Sequence, residues 1–255
     1  RAIKMVTKTE LIEISKKRKL PLAVVEKDFI LTYILKKLYE SELKNKLVFK
    51  GGTALHKLYL HKRLSIDLDF TELEKISIGA LKQVIENREI SSKIKELNET
   101  PNSVKIVLSY FSVLEYKNNI VLDISKREKP ILNLVKKKLK SLYFKDTEVL
   151  TFQFEELIAE KIRALIQRNK PRDYLDIYYA LNYKKFNFDK AIEIAKEKLK
   201  IRKEEFSTEK IFGAENLNLV NSLWEHDLRE ILPDIPAFSR IVERLKKRFV
   251  SFDSV

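Results

Sequence analysis

The stretch FKGGTALHKLYLHKRLSIDLDF, residues 49–70, decides the fold of this chain. Its adjacent glycines, Gly51 and Gly52, are two of only four in 255 residues. They separate an apolar run at 46–49, which predicts a short strand, from a stretch at 53–62 with apolar residues at helical spacing. Such a turn can bind an anion, because the first N–H groups of a helix lack internal partners and glycine permits close approach. The alternative is a tight turn that only requires a positive φ.

The second half of this stretch, 64–70, alternates apolar and polar residues, which predicts a strand. Asp67 and Asp69 then share one face of it. Two neighbouring negative charges repel each other unless a cation lies between them. Carboxylate oxygens are suitable ligands for Mg²⁺ that is also bound by substrate phosphates. Asp123, in the β-rich run 119–125, would join the pair if the two strands are neighbours. The alternative is the polar face of an edge strand, although Asp is depleted in strands.

These features form one hypothesis about chemistry. Three carboxylates holding two Mg²⁺ ions beside a phosphate-binding turn suit in-line transfer of a nucleotide from a nucleoside triphosphate.

The composition indicates a basic protein with enough apolar residues for a sizeable core. The net charge is +14 and the pI about 9.6, which favours nucleic acid as a partner over an anionic membrane, although a lysine-rich proteome is an alternative source of the charge. The absence of cysteine excludes disulfides and thiolate metal sites. No apolar run approaches the roughly 18 residues of a membrane span, so we expect no membrane association and a cytoplasmic location.

The order of the patterns predicts an α+β protein in two parts. The first, 1–145, mixes helices and strands, and the second, 146–255, is helical. In the first part the patterns predict helices at 21–40 and 78–97, and a hairpin of strands at 104–113 and 119–125. They also predict a linker-like stretch formed by 127–132 and the lysine-rich 136–140. In the second they predict helices at 154–168, 171–183, 187–200, 216–230 and 236–248.

The glycine pair and the acidic strand together resemble the signature of the polymerase-β-like nucleotidyltransferases. More narrowly, the chain resembles the AbiEii family, the toxins of type IV toxin–antitoxin and abortive-infection systems. The family pattern Lys-Gly-Gly-Thr-Ala-Leu, then Arg-x-Ser-x-Asp-x-Asp, stands here as Lys50 to Leu55, Arg63, Ser65, Asp67 and Asp69, and EKDFILTYIL at 26–35 is similar to the family's N-terminal helix. The resemblance implies a small mixed sheet flanked by helices, followed by a helical part that contributes to the active-site cleft.

A second block, EKIRALIQRNKPRDYLDIYYAL at 160–181, resembles the family's downstream motif. The alternative for its charged residues is solvated side chains and helix-end carboxylates. By resemblance, catalytic roles fall to Asp67, Asp69, Asp123, Lys161 and Asp176, with the first three as metal ligands. Nucleotide-binding roles fall to Lys50, Gly51, Gly52, Thr53, Ser65, Arg168 and Asp173.

The resemblance also implies partners. The donor is a nucleoside triphosphate, and the favoured acceptor is RNA, at the 3′ end of tRNA. Transfer to that end would block translation. A separately encoded antitoxin is also expected. Two alternatives stay open: a nucleotidyltransferase that modifies a protein or small molecule, and a catalytically inactive module that binds nucleotide or RNA.

Overall fold

The chain folds into two compact units, Arg1–Phe152 and Gln153–Val255. The structure, a computed structural model, describes residues 5–184 and 186–252. The first unit contains a mixed sheet with helices, and the second is built from helices.

The first unit is organised around a seven-stranded sheet with the order β3-β4-β5-β2-β1-β7-β6. Two pairs, β2 with β5 and β1 with β7, are parallel, and the other neighbours are antiparallel. The strands are β1 Leu47–Lys50, β2 Asp67–Glu72, β3 Lys93–Glu99, β4 Ser103–Phe111, β5 Lys117–Ser125, β6 Val135–Leu139 and β7 Thr147–Thr151.

The helices of the first unit are α1 Lys8–Arg18, α2 Leu22–Tyr39, α3 Gly51–Leu55 and α4 Ile78–Ile85, and a π-helical segment His56–Leu60 continues α3. Helix α2 is buried over most of its surface and contacts α4 and β7. At its end the Tyr39 hydroxyl lies 2.9 Å from the carbonyls of both Leu47 and Leu150. This contact fixes α2 to β1 and to the end of β7.

One face of the sheet forms the core of this unit. Alternate residues of β2, β4 and β5 are fully or almost fully buried on that face: Leu68, Phe70, Val104, Ile106, Leu108, Tyr110, Ile120, Leu122 and Ile124. Because side chains alternate along a strand, the polar residues between them lie on the opposite face. The sheet therefore presents one apolar face and one mixed face that carries the polar residues.

A buried carboxylate, Glu26 on α2, makes a pH-dependent contribution to stability. Its side chain is 0% exposed; Oε1 accepts a hydrogen bond of 2.8 Å from the Leu114 N–H, and Oε2 has no partner among the described residues. Burial raises the pKa of Glu26 above its usual 4.5, although that hydrogen bond lowers it. The folded state therefore favours the protonated carboxyl of Glu26. As the pH rises from 4.5 through the raised pKa, ionisation of Glu26 destabilises the folded protein.

Replacing Glu26 by Gln should therefore stabilise the protein at neutral pH. The amide keeps an acceptor for Leu114 and carries no charge. We expect a gain of about 1 kcal/mol at pH 7.5, the size of a typical point-mutation effect, that disappears below the pKa of the free carboxyl. Thermal unfolding across this pH range measures it, with exposed Glu74→Gln as the control. Equal stability of Glu26→Gln and the parent protein at pH 7.5 contradicts the prediction.

The second unit consists of α5 Phe154–Arg168, α6 Pro171–Ala180, α7 Phe188–Ile201, α8 Thr208–Phe212, α9 Ala214–Leu228 and α10 Phe238–Phe249. Helix α5 contacts α6, α7 and α8, and α6 also contacts α9 and α10. Pro171 occupies the first turn of α6, where a missing N–H has no cost. The five helices that the sequence predicts here are confirmed, with α8 as an addition.

Three predictions about the first unit are wrong in part. The helix predicted at 78–97 ends at Ile85, and Lys93–Glu99 is the edge strand β3. The lysine-rich 136–140 is not a linker, because Val135–Leu139 is strand β6. The strand predicted at 64–70 begins only at Asp67, so Ser65 lies in irregular structure before it.

Candidate active site

The polar face of the sheet brings the predicted carboxylates together. Strand β2 lies between β1 and β5, with Asp69 in register with Lys50 on one side and with Asp123 on the other. Asp67 and Asp69 are two residues apart on β2 and share its face. The condition for Asp123 to join the pair, that its strand lies beside the strand of Asp67 and Asp69, is met. Asp67 and Asp69 are half-buried, and Asp123 is exposed.

The glycine turn lies directly against this row. Gly51 has a φ of +73°, and a Cβ built on it would lie 2.0 Å from Asp69 Oδ2. The Asp69 carboxylate therefore occupies the space that any other side chain would fill. Both the backbone conformation and this contact require glycine at position 51.

Replacing Gly51 by Ala should damage both folding and activity. The left-handed conformation costs an alanine about 1 kcal/mol, and its methyl group must displace the Asp69 carboxylate, so we expect about 2 kcal/mol of destabilisation. A displaced carboxylate should also slow nucleotide transfer about a hundredfold. Thermal unfolding and the transfer assay described below measure the two effects.

The matched control for this prediction is Gly79→Ala in α4. A Cβ at Gly79 meets nothing within 4 Å, so alanine should stabilise its helix slightly. If the two alanine variants have the same stability and activity, the steric interpretation of Gly51 fails.

The other predicted nucleotide-binding residues of this unit have structural partners. Thr53 Oγ1 donates a hydrogen bond of 2.5 Å to the Asp67 carbonyl, which fixes the start of β2 against α3. The Lys50 ammonium forms a buried ion pair with Glu128. Gly52 is buried, and Ser65 is half-buried two residues before Asp67. Roles of these residues toward a nucleotide stay predictions.

Sequence reasoning missed the polar contacts behind the glycine turn. Lys57 Nζ, in the π-helical segment, lies 2.5 Å from Asp28 Oδ1 and 2.8 Å from Thr32 Oγ1 of α2. The Tyr143 hydroxyl donates to Asp28 Oδ2 at 3.0 Å. Asp28 is 4% exposed, so its charge is balanced by Lys57 inside the protein. The available signal was a carboxylate directly before the apolar run 29–31 of α2.

The second unit gathers its four predicted site residues into one cluster, in which three residues are buried and Arg168 is exposed. Lys161 Nζ lies 2.8 Å from Asp173 Oδ1 and 2.9 Å from Asp176 Oδ2. Arg168 Nε donates to Asp173 Oδ2 at 3.0 Å. Both aspartates are fully buried, and Lys161 is 7% exposed. Two positive and two negative side chains thus neutralise one another, and their predicted catalytic and nucleotide-binding roles stay predictions.

The pKa of Asp173 reflects this cluster. Burial alone would raise it, but the charges of Lys161 and Arg168 and their hydrogen bonds outweigh burial and hold the pKa below its usual 3.8. Asp173 is therefore ionised in the folded protein at neutral pH.

The carboxylate row fits a magnesium ion that also binds substrate. Within residues 5–184 and 186–252, no group of three or more His, Cys, Asp or Glu side chains is arranged to hold a metal ion by itself. Mg²⁺, however, is commonly bound by one or two carboxylates, with water and substrate phosphates as its other ligands. The oxygen donors of Asp67, Asp69 and Asp123 on one sheet face are of the required kind.

Comparison with solved structures defines the class of protein. MenT4, a nucleotidyltransferase toxin from Mycobacterium tuberculosis H37Rv, superposes with a TM-score of 0.77 at 18% identity, covering 98% of this chain and 90% of that one. JHP933 from Helicobacter pylori superposes with a TM-score of 0.57 at 22% identity, covering 92% and 98%. A comparison with curated protein sequences gave no match. The fold is that of the nucleotidyltransferase toxins.

The family is defined by sequence. A family model described as nucleotidyl transferase AbiEii toxin, type IV TA system, matches residues 33–244, and the chain belongs to this family. It is therefore a nucleotidyltransferase toxin, and membership implies a nucleoside triphosphate substrate and an antitoxin partner. Within the described part of the chain, none of the helices is long and apolar enough to cross a membrane.

Proposed function

We propose that this toxin transfers a nucleotide from a nucleoside triphosphate to an RNA acceptor, at the 3′ end of tRNA, in a Mg²⁺-dependent reaction in the cytoplasm. The observation that carries the proposal is the row of Asp67, Asp69 and Asp123 on one sheet face, with the Asp69 carboxylate against Gly51. A nucleotide added at that end of tRNA would prevent aminoacylation and stop translation.

The residues of the first unit have separate tasks in this reaction. Asp67 and Asp69 would hold Mg²⁺, which when bound neutralises charge on the attacking and leaving oxygens. Gly51 leaves room for the Asp69 carboxylate, and Thr53 holds β2 in place through the Asp67 carbonyl. Asp123, the exposed member of the row, is placed to orient the attacking hydroxyl or to accept its proton. The hydroxyl attacks the α-phosphate, the α–β bridging bond breaks, and pyrophosphate leaves.

The choice of RNA as acceptor is supported by charge. A net charge of +14 gives a polyanion many contacts, whereas a small metabolite would gain little from charges spread along the chain. The same charge favours RNA over a protein acceptor unless that protein is strongly acidic.

The test is a transfer assay. The purified protein is incubated with Mg²⁺, total tRNA and each α-labelled nucleoside triphosphate in turn, with and without EDTA. We expect label on tRNA from one or two of the nucleotides, lost with EDTA and after periodate treatment of the tRNA 3′ end. Label on protein or small molecules alone would replace RNA as the acceptor, and bound triphosphate without any transfer would contradict the proposed activity.

A further inference from the structure

The sheet face that carries the carboxylates continues beyond them onto β4. Along this strand Val104, Ile106, Leu108 and Tyr110 are buried on the core side. The residues between them, Lys105, Val107, Ser109 and Phe111, are exposed or half-buried on the carboxylate side. We call these four residues, with Lys117 of β5, the β4 face. It is a solvent-facing continuation of the row that the proposed function uses.

Lys105 lies at the inner end of the β4 face. It is in register with Asp123, which is in register with Asp69, so the three residues form a line across β4, β5 and β2. Strands are about 4.8 Å apart, which places the Lys105 backbone about 10 Å from that of Asp69. Lys105 is exposed and forms no ion pair with any described residue. Its ammonium can bind a phosphate one or two nucleotides away from the reacting hydroxyl.

Phe111 lies at the outer end of the β4 face. It is 45% exposed and in register with Lys117, which is also exposed. It lies six positions after Lys105, a distance of about 20 Å along a strand. An aromatic ring exposed on a sheet beside a lysine is the arrangement on which single-stranded bases stack while phosphates contact the cation.

We propose that the β4 face binds the single-stranded 3′ segment of the RNA acceptor, with Lys105 and Lys117 on its phosphates and Phe111 stacked on a base. This inference rests on the proposed function, because it assumes an RNA acceptor. The charge and the length of the β4 face indicate that single-stranded RNA is its ligand. Neither lysine forms an ion pair with a described residue, and the 20 Å of β4 exceeds one nucleotide.

The experiment measures RNA affinity and transfer separately. Fluorescence anisotropy gives the Kd for a fluorescein-labelled single-stranded RNA of about 12 nucleotides, a length in the range of known single-strand binding sites. The variants are Lys105→Ala, Phe111→Ala and the double variant, and the control is Lys138→Ala on β6 at the opposite sheet edge, an exposed lysine in a strand. The KM for tRNA in the labelled transfer assay is measured with the same set.

We expect each single variant to weaken RNA binding about tenfold and to raise the KM for tRNA in proportion. Lys105→Ala should also lower the slope of log Kd against log salt by about 0.7, because one phosphate contact is lost, whereas Phe111→Ala should leave that slope unchanged. Lys138→Ala should match the parent protein. The difference in salt slope separates loss of a phosphate contact from general damage to the strand.

Two results overturn the inference, and they can be told apart. If the parent protein binds RNA and labels tRNA while both β4 variants keep the parent Kd, the RNA lies elsewhere and the proposed function stands. If the parent protein neither binds the RNA nor labels tRNA, the inference fails together with the RNA acceptor of the proposed function.

Discussion

Asp67→Asn should abolish nucleotide transfer while leaving the fold intact. The amide has the shape of the carboxylate but lacks its charge, so it cannot share a divalent cation with a triphosphate. Loss of several kcal/mol of transition-state charge stabilisation corresponds to at least about a thousandfold in rate. The initial rate of label transfer from the preferred nucleotide to tRNA measures this, and Asp69→Asn should behave in the same way.

Two measurements make this prediction specific to the carboxylate row. Asp146→Asn, the same chemical change at an exposed aspartate of the same unit, should keep the parent rate. Thermal unfolding should show Asp67→Asn within about 0.5 kcal/mol of the parent protein, since removing one of two neighbouring like charges relieves repulsion. An Asp67→Asn protein that is folded and transfers at a tenth of the parent rate or faster would remove Asp67 from the proposed reaction.

The sequence predicts the central strands of the first unit because the local residue pattern there matches the two faces of the sheet in the folded protein. Alternation at Asp67–Phe70 reflects one apolar face and one face that carries carboxylates, and the structure has both. The family assignment, drawn from the glycine pair and the acidic strand, agrees with the family model and the fold comparison.

The sheet edges could not be predicted because their residues suit other structures. In Lys93–Glu99 the apolar residues Ile94 and Leu97 are three apart, which is helical spacing, and Lys and Glu favour helices. Pairing with β4 makes the segment a strand, with a shift in register between Ile94 and Glu96. Strand β6 is rich in lysine, which protects edge strands from aggregation, and this composition is also typical of a polar linker.

The partners of charged residues also depend on contacts distant in sequence. Glu128 neutralises Lys50 from 78 residues away, and Lys57 binds Asp28 across 29 residues. A motif gives the type and order of such residues but not their partners. For this reason the sequence assigns Lys50 to a nucleotide, and the structure adds that its ammonium already has a carboxylate partner.

Asp173→Asn should destabilise the second unit strongly. Asp173 is fully buried and balances the buried charge of Lys161 together with Asp176, while Arg168 also bonds to it. Removing one partner of a buried ion pair leaves charge without compensation, which costs about 3–5 kcal/mol. Urea unfolding at pH 7, followed by the fluorescence of Trp224, the only tryptophan of the chain and a residue of this unit, measures the loss.

The pH dependence of this loss identifies its electrostatic origin. Because the folded pKa of Asp173 lies below 3.8, its ionised form stabilises the folded state above that pH, and this stabilisation disappears as the pH falls through the lowered pKa. The difference between Asp173→Asn and the parent protein should therefore be constant from pH 7 to pH 5 and become smaller below 3.8. A difference that persists unchanged in acid would indicate that packing, not charge, is responsible.

Asp189→Asn provides the matched comparison in the same unit. Asp189 Oδ1 accepts a 2.8 Å hydrogen bond from Arg248, but both side chains are largely exposed, at 62% and 44%. Water already solvates these charges, so the substitution should cost no more than about 1 kcal/mol. The two variants make the same chemical change in ion pairs of similar length and differ in burial. Equal losses at pH 7 would mean that burial of the Lys161–Asp173 pair does not determine its contribution, whereas a difference of about 2 kcal/mol or more would establish that it does.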